Sequence, residues 1–259
     1  MTKNSFKICL AQQLSFHGEV EENKKHCAET VRIAASKGTD LVVFPELTLS
    51  GYHAEKEMFF QLAEPAQKNT PSIEFFRNLS EKTGMAIVVS FPERSGDQLY
   101  IMTAFIDEPK GQLGFYRKSK LWGAEKEIFS PGPKSYDPFS TRFGRIGILL
   151  CFDMEFPEPA RELAKKGTDL IICPSVWSKT AKLRWDIQLP CRALDNQCYV
   201  AGVNTISDNA CGSTQWIDPF GKVLQKASIH QEELIYGHFD KNVLEKARSE
   251  IPYLKEMNF

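Results

Sequence analysis

The chain has 259 residues, of which 42% are hydrophobic and 25% are charged, as in an ordinary globular protein that can bury a sizeable core. Its 32 lysines and arginines against 33 aspartates and glutamates leave a formal charge of -1, which gives no electrostatic reason to expect nucleic acid or an anionic membrane as partner. The apolar runs are too short to span a bilayer, and Lys7, Gln12 and Gln13 interrupt any signal-peptide core, so we expect neither feature.

Strand and helix patterns alternate along the first half of the chain. Because nothing in the sequence resembles a linker, we expect a single domain over residues 1–259. The spacing of apolar residues predicts a helix over 19–36, which Gly38 caps, and a second helix over 72–82. Extended segments are predicted at 6–12, 40–44, 85–90, 100–106 and 112–116. The last two flank the turn D-E-P-K-G-Q and therefore predict a hairpin.

The second half of the chain continues this alternation. A short apolar run, I-G-I-L-L-C-F from residue 146, predicts a buried strand that ends at Cys151. Helices are predicted at 157–166, where Gly167 stops the helix, and at 183–196. Further strands are predicted at 169–173, 198–203, 214–217, 222–225 and 234–239. Helices between strands, together with hairpins, indicate a layered α/β fold with a mixed rather than a purely parallel sheet.

Three ionisable side chains follow predicted strands. Cys151 ends the run that begins at residue 146, Glu46 follows L-V-V-F-P, and Lys118 follows F-Y-R. Open α/β sheets gather their active-site groups at the carboxyl ends of strands. A cysteine, a glutamate and a lysine there supply a nucleophile, a base and a cation. Attack on an amide carbonyl needs these three, because a thiol must lose its proton and an oxyanion must be stabilised.

Each of these residues also has a purely structural explanation. Most cysteines at the end of an apolar run are packing residues, Glu46 suits a surface turn, and Lys118 beside Arg117 and Lys120 suits a solvated edge. A papain-like Cys–His pair is a rival scheme, but none of the five histidines adjoins a recognisable partner motif. No Cys/His spacing resembles a zinc site, so we expect no metal.

Cysteine usage bears on the cellular compartment. The seven cysteines show neither a paired spacing nor a C-x-x-C motif. An odd count without such pairs suits a reducing compartment better than a disulfide framework. We therefore expect a cytoplasmic protein.

Several stretches resemble the motifs of one known family. F-P-E-L-T-L-S-G-Y (44–52), Y-R-K-S-K-L (116–121) and L-L-C-F-D-M-E-F-P-E (149–158) resemble the three signature stretches of the nitrilase superfamily of carbon–nitrogen hydrolases. E-K-E-I-F-S-P-G (125–132) and R-A-L-D-N-Q (192–197) resemble two further family segments, and all five occur in the family's order. One departure is Lys120, which stands where the family commonly has histidine and changes the charge beside the site.

The resemblance implies an αββα four-layer sandwich, usually paired through helices, so we expect a homodimer. It implies that Glu46 is the general base, that Lys118 stabilises the oxyanion and that Cys151 is the nucleophile. Glu125 corresponds to a second glutamate that positions substrate and lysine. No metal or organic cofactor is implied.

Three aromatic or imidazole side chains are candidate substrate-binding residues. The resemblance places Trp177 in the substrate pocket, although an aromatic side chain covering the domain edge is an alternative. Phe152 directly follows Cys151, and His53 is the histidine nearest to a catalytic stretch.

The expected activity is hydrolysis of a small linear carboxamide by a cysteine hydrolase, through an acyl-thioester and with release of ammonia. The nucleophile lies in C-F-D, whereas true nitrilases of the family tend to have C-W-E, which favours an amidase. One alternative is an N-carbamoyl-amine hydrolase, which would also release carbon dioxide. Another is a non-catalytic binding or scaffold member, but such a protein has no physical need for Glu46, Lys118 and Cys151 together.

Overall fold

A computed structural model describes residues 2–53 and 55–256, and this part of the chain contains two six-stranded β-sheets. The strands are β1 (Ser5–Gln12), β2 (Leu41–Val43), β3 (Ala86–Ser95), β4 (Gln98–Asp107), β5 (Gln112–Arg117), β6 (Phe139–Thr141), β7 (Gly144–Ile148), β8 (Leu170–Ser175), β9 (Tyr199–Asn204), β10 (Gln215–Ile217), β11 (Val223–Lys226) and β12 (Glu233–Asp240). One sheet has the strand order β12-β1-β2-β3-β4-β5 and the other has the order β11-β10-β9-β8-β7-β6.

Both sheets are mixed, as the sequence predicts. Strands β1, β2 and β3 run parallel in the first sheet, and β7, β8 and β9 run parallel in the second. Antiparallel strands flank each parallel set, including the predicted hairpin of β4 and β5. The parallel strands of each sheet end at one edge, where side chains from successive loops can meet.

Two pairs of helices cover the outer faces of the sheets. The helices of the described residues are α1 (Val20–Ser36), α2 (Lys56–Leu62), α3 (Pro71–Thr83), α4 (Glu125–Ile128), α5 (Pro157–Lys165), α6 (Lys182–Asn196), α7 (Lys241–Glu250) and α8 (Tyr253–Glu256). Helices α1 and α3 pack on the first sheet, and α5 and α6 pack on the second. Within residues 2–53 and 55–256, no helix combines the length and apolar character that crossing a membrane requires.

The two sheets pack face to face through one apolar core. Leu10 and Val43 of the first sheet and Ile146 and Ile172 of the second contribute to it, and all four are buried. The alternation of buried side chains along the strands therefore serves the core between the sheets on one face and, on the other face of each sheet, a core beneath its helices. The resulting αββα sandwich confirms the predicted fold class.

Local sequence explains where several elements begin and end. Helix α3 begins with Pro71 and ends at Gly84, whose φ of +71° suits a residue without a side chain. Helix α5 likewise begins with Pro157. The sequence patterns leave β6, α2, α4, α7 and α8 unpredicted, because elements of three or four residues carry too little periodicity and the longer ones have few buried residues.

The strand that leads to Cys151 is shorter than predicted. β7 ends at Ile148, and the Leu149 N–H extends the ladder by one hydrogen bond of 3.0 Å to the Ile172 carbonyl. Cys151 instead begins the short 3₁₀ helix Cys151–Glu155. The nucleophile candidate thus lies in a tight turn after the strand rather than within the strand itself.

Candidate active site

A lysine between two glutamates forms a buried cluster at the strand-end edge of the sandwich. The Lys118 Nζ donates to Glu46 Oε1 at 2.7 Å and to Glu125 Oε1 at 2.8 Å. None of the three side chains is more than 3% exposed. Lys118 directly follows β5 and Glu46 follows β2, so the sheet topology brings together two residues that lie far apart in the sequence.

Further hydrogen bonds fix the orientation of both glutamates. The second oxygen of Glu46 accepts from the Val176 N–H at 3.1 Å, directly after β8. Glu125 accepts from the Tyr52 hydroxyl at 2.7 Å and, through its other oxygen, from the Trp122 N–H at 2.8 Å. Each carboxylate therefore presents one oxygen to the lysine while its other oxygen is anchored to the backbone.

Cys151 is held in a strained backbone conformation beside this cluster. Its φ is +45°, which residues with a side chain rarely adopt, and Leu47, which follows Glu46, has a φ of +50°. Non-glycine residues in this region cost of order 1–3 kcal/mol and persist only where the surroundings hold them. The Cys151 Sγ lies 3.9 Å from the Val176 carbonyl oxygen, close to the backbone N–H that anchors Glu46.

Asp153 is a buried carboxylate that the sequence does not single out. Its Oδ1 accepts from the Ser119 N–H at 3.2 Å, the Ser119 hydroxyl at 2.7 Å and the Lys120 N–H at 2.8 Å. Its Oδ2 accepts from the Tyr116 hydroxyl at 2.7 Å and the Leu150 N–H at 3.1 Å. One side chain therefore joins the segment after β5 to the turn after β7.

This link sets the position of the lysine relative to the cysteine. Lys118 immediately precedes the two residues whose N–H groups Asp153 binds, and Cys151 immediately follows Leu150. Burial raises the pKa of Asp153, while hydrogen bonds from Ser119 and Tyr116 lower it. The only signal in the sequence is that Asp153 lies within the L-L-C-F-D stretch.

We expect Asp153→Asn to lower kcat by about 10- to 100-fold, because misplacing a catalytic group by about 1 Å can cost that much. The NH₂ group of the new asparagine side chain cannot accept hydrogen bonds, so at least one of the groups that donate to Asp153 loses its partner. Steady-state kinetics with circular dichroism checks this, and Glu158→Gln at an exposed position is the matched control. An unchanged kcat in a folded Asp153→Asn protein would rule out the positioning role.

The charges of the cluster determine where protons lie. Burial raises the pKa of Glu46 to about 7, although the charge of Lys118 lowers it. Burial alone would lower the pKa of Lys118, but Glu46, Cys151 and Glu125 hold it well above its ordinary value. Burial, and then the charge of Glu46, raises the pKa of the Cys151 thiol well above its ordinary value. The resting site thus has a protonated thiol, a charged lysine and a carboxylate that can exchange a proton near neutral pH.

A cavity of about 1200 Å³ opens onto this cluster. Glu46 and Cys151 line it, and so do two of the predicted pocket residues, Phe152 and Trp177. The indole of Trp177 is buried and packs edge-on against Trp185, with 5.2 Å between ring centroids. The cavity therefore brings a small molecule within reach of the sulfur, the carboxylate and an aromatic wall.

The structure does not place His53 in this wall. Its ring stacks on Phe59 with 3.9 Å between centroids, and His17 lies 5.8 Å away on the side of the cavity. Burial lowers the pKa of His53. The neighbouring His17, which the motifs do not mark, is the histidine that lines the cavity from this side.

Within residues 2–53 and 55–256, no group of histidine, cysteine, aspartate or glutamate side chains is arranged to hold a metal ion.

Tyr52 is a further site residue without a role assigned from the sequence, although it ends the F-P-E-L-T-L-S-G-Y stretch. Its hydroxyl reaches Glu125, and it lines the cavity beside Glu46.

Comparisons with known proteins identify the family to which the chain belongs. A model of the carbon-nitrogen hydrolase family matches residues 7–249. A nitrilase from Pyrococcus abyssi is 32% identical over 235 residues, which are 89% of this chain and 88% of that protein. The omega-amidase NIT3 of Saccharomyces cerevisiae is 30% identical over 274 residues, which are 98% of this chain and 93% of that protein.

The fold has a solved counterpart in the same yeast. The crystal structure of Nit3, a member of branch 10 of the nitrilase superfamily, matches with a TM-score of 0.90 at 31% identity. The match covers 100% of this chain and 99% of that one. The chain therefore belongs to the carbon-nitrogen hydrolase family of the nitrilase superfamily and is an amidase-type hydrolase of carbon–nitrogen bonds.

Proposed function

We propose that this enzyme hydrolyses the amide bond of a small linear carboxamide through an acyl-thioester on Cys151 and releases ammonia. The observation that carries the proposal is the contact of Lys118 with both Glu46 and Glu125 beside a strained, cavity-lining cysteine. A structural core does not need to bury two carboxylates and one ammonium, because desolvating such charges costs several kcal/mol per ion. The arrangement suits the chemistry of amide attack.

In the acylation step, the Cys151 Sγ attacks the amide carbon while its proton moves to Glu46. Burial keeps the thiol protonated until attack, so proton transfer accompanies formation of the C–S bond. The carbonyl oxygen becomes an oxyanion that the Lys118 ammonium stabilises. Collapse of this intermediate breaks the C–N bond, and Glu46 returns its proton to the leaving nitrogen, which departs as ammonia.

In the deacylation step, water enters the position that ammonia left. Glu46 accepts one proton from the water as its oxygen attacks the thioester carbon. The C–S bond then breaks, the proton returns to sulfur, and the carboxylic acid leaves. Glu125 takes no proton in this scheme; its hydrogen bonds to Lys118 and Tyr52 hold the ammonium in place.

Product analysis separates the candidate activities. With a short primary amide, we expect ammonia and acid in equal amounts and, with added hydroxylamine, a hydroxamate from the trapped acyl group. Release of carbon dioxide together with ammonia from an N-carbamoyl amine would favour the second candidate, an N-carbamoyl-amine hydrolase. This candidate stays open because a carbamoyl group contains the same carbonyl–nitrogen bond as an amide. Faster turnover of the matching nitrile would exclude an amidase, and inactivity towards all three would support a binding or scaffold role.

The pH dependence should report the ionisation of Glu46. Because its carboxylate must be free to accept the thiol proton, kcat/KM should fall about tenfold per unit as the pH drops below about 7. Rates with an uncharged amide from about pH 5 to pH 9 check this. A flat profile through neutral pH would contradict the assignment of Glu46 as the base.

The outer face of α6 supports the proposed homodimer. Leu183 and Ile187, one helical turn apart, are 71% and 53% exposed, and Leu194 continues the same face. Helix α8 packs beside α6, and exposed Tyr253 extends the apolar surface. A second copy of this chain could cover the surface, because a two-fold axis pairs the same patch on both subunits.

Replacing Ile187 by lysine should therefore shift the enzyme from dimer to monomer in sedimentation velocity at micromolar concentration. A lysine there would place like charges opposite each other across the two-fold axis. Ile33→Lys on α1, which is 39% exposed and lies on the other sheet, is the matched control. A wild-type protein that sediments as a monomer would contradict the proposed dimer.

A further inference from the structure

An arginine and a glutamate face each other in the wall of the catalytic cavity. Glu155 ends the 3₁₀ helix that begins at Cys151, and Arg184 lies in the first turn of α6. Both residues line the cavity. The Arg184 Nε donates to Glu155 Oε2 at 3.0 Å, and its Nη2 donates to Oε1 at 3.4 Å. Two parallel bonds of this kind occupy one edge of the guanidinium.

Glu155 is anchored more firmly than its partner. Its side chain is 17% exposed, whereas that of Arg184 is 47% exposed. The Glu155 carbonyl also accepts from the Arg192 Nη2 at 2.9 Å, which fixes the end of the 3₁₀ helix. Displacing the Glu155 carboxylate to free Arg184 for a ligand would therefore leave a largely buried charge without its partner.

The remaining charges of the cavity wall do not favour an anion. Apart from Glu46, the acidic lining residues are Glu155, Asp208 and Glu232, and the basic ones are Lys179 and Arg184. With His17 and His230 neutral, this wall carries one more negative than positive charge. The Glu46–Lys118–Glu125 cluster adds a further negative charge when both carboxylates are ionised. A substrate carboxylate would thus enter a negative environment whose arginine is already neutralised.

We infer that the acyl group of the substrate carries no carboxylate, so that the enzyme prefers the amide of a monocarboxylic acid over the ω-amide of a dicarboxylic acid. Glu155 determines this preference by neutralising Arg184. The inference rests on the proposed amidase activity, and it adds the charge of the substrate to that proposal.

Matched substrate pairs test the inference. Butyramide with succinamate and hexanamide with adipamate differ within each pair only in a terminal methyl or carboxylate group. For the wild type, we expect kcat/KM to be about tenfold or more higher for the uncharged member of each pair, since like charges repel in the cavity. Ammonia release measured at constant ionic strength gives both values.

The Glu155→Gln variant then separates charge from shape. It frees Arg184 while keeping the size of the side chain, so the ratio of kcat/KM for the anionic over the uncharged member should rise about tenfold. Arg184→Gln should lower that ratio, because it leaves Glu155 uncompensated. Glu158→Gln, at an exposed position on α5 outside the cavity, should keep the wild-type ratio.

Two results would overturn the inference while leaving the amidase proposal intact. One is a wild-type preference for succinamate or adipamate, and the other is a ratio that Glu155→Gln leaves unchanged. If none of the four amides releases ammonia and none acylates Cys151, the proposed function fails and the inference fails with it.

Discussion

Replacing Cys151 by alanine or by serine is expected to abolish amide turnover, by about four orders of magnitude or more, in a protein that remains folded. Alanine removes the nucleophile. Serine keeps an oxygen in its place, but a hydroxyl is far harder to ionise than a thiol, and a carboxylate with a pKa of about 7 is a weak base for it. Ammonia release together with circular dichroism measures both parts of the prediction.

Cys191→Ala is the matched control for these variants. Cys191 is half-buried on α6, away from the cavity wall, and it should keep its activity when replaced. Turnover within about tenfold of the wild type in both Cys151 variants would remove this residue as the nucleophile.

Lys118→Ala is expected to slow acylation by roughly two orders of magnitude or more, because removing one oxyanion donor typically has that effect. Lys118→Arg should be nearly as damaging, since the planar guanidinium cannot place its charge where the compact ammonium lies. Single-turnover kinetics measures acylation separately from deacylation. Lys120→Ala, which removes a neighbouring cation that stacks on Phe156, is the matched control.

Loss of Lys118 also leaves Glu46 and Glu125 buried without their cation, which typically costs about 3–5 kcal/mol of stability. Slow turnover could then reflect unfolding. A double variant that combines Lys118→Met with Glu125→Gln separates the two effects. It lacks one of the two uncompensated carboxylate charges, so it should be more stable than Lys118→Met alone, while acylation should stay slow. Acylation near the wild-type rate in any folded Lys118 variant would contradict its role at the oxyanion.

The sequence predicts the members of the central cluster because strand ends are readable in it. The runs before Glu46 and Cys151 are apolar and short, and Lys118 follows a strand of the predicted hairpin. The parallel strands around β2 and those around β7 each end at one edge of their own sheet, and the bond from the Val176 N–H to Glu46 joins the two edges. The fold class follows from the same patterns, since alternating strands and helices have few ways to bury both sheet faces.

Contacts across long sequence separations could not be predicted in this way. Asp153 binds Tyr116, Ser119 and Lys120 because two loops from different sheets meet, and no local pattern encodes that meeting. The pairing of Glu155 with Arg184 likewise depends on how α6 approaches the 3₁₀ helix.

His53 shows how little nearness in sequence says about the direction of a side chain. It lies close to Glu46 in the sequence, which suggests a place in the pocket, whereas its ring stacks on Phe59. A role of His53 in substrate binding stays a prediction. The expectations of a single domain over residues 1–259 and of a cytoplasmic location stay predictions.

The most direct test of the account is the mass of the enzyme during turnover. Wild-type protein mixed with butyramide and quenched in acid within milliseconds should carry one acyl group, and peptide mapping should place it on Cys151. The Cys151→Ala protein should show no such increase under the same conditions. An acyl group on another residue, or ammonia release with no acylated protein at any time, would contradict the thioester mechanism.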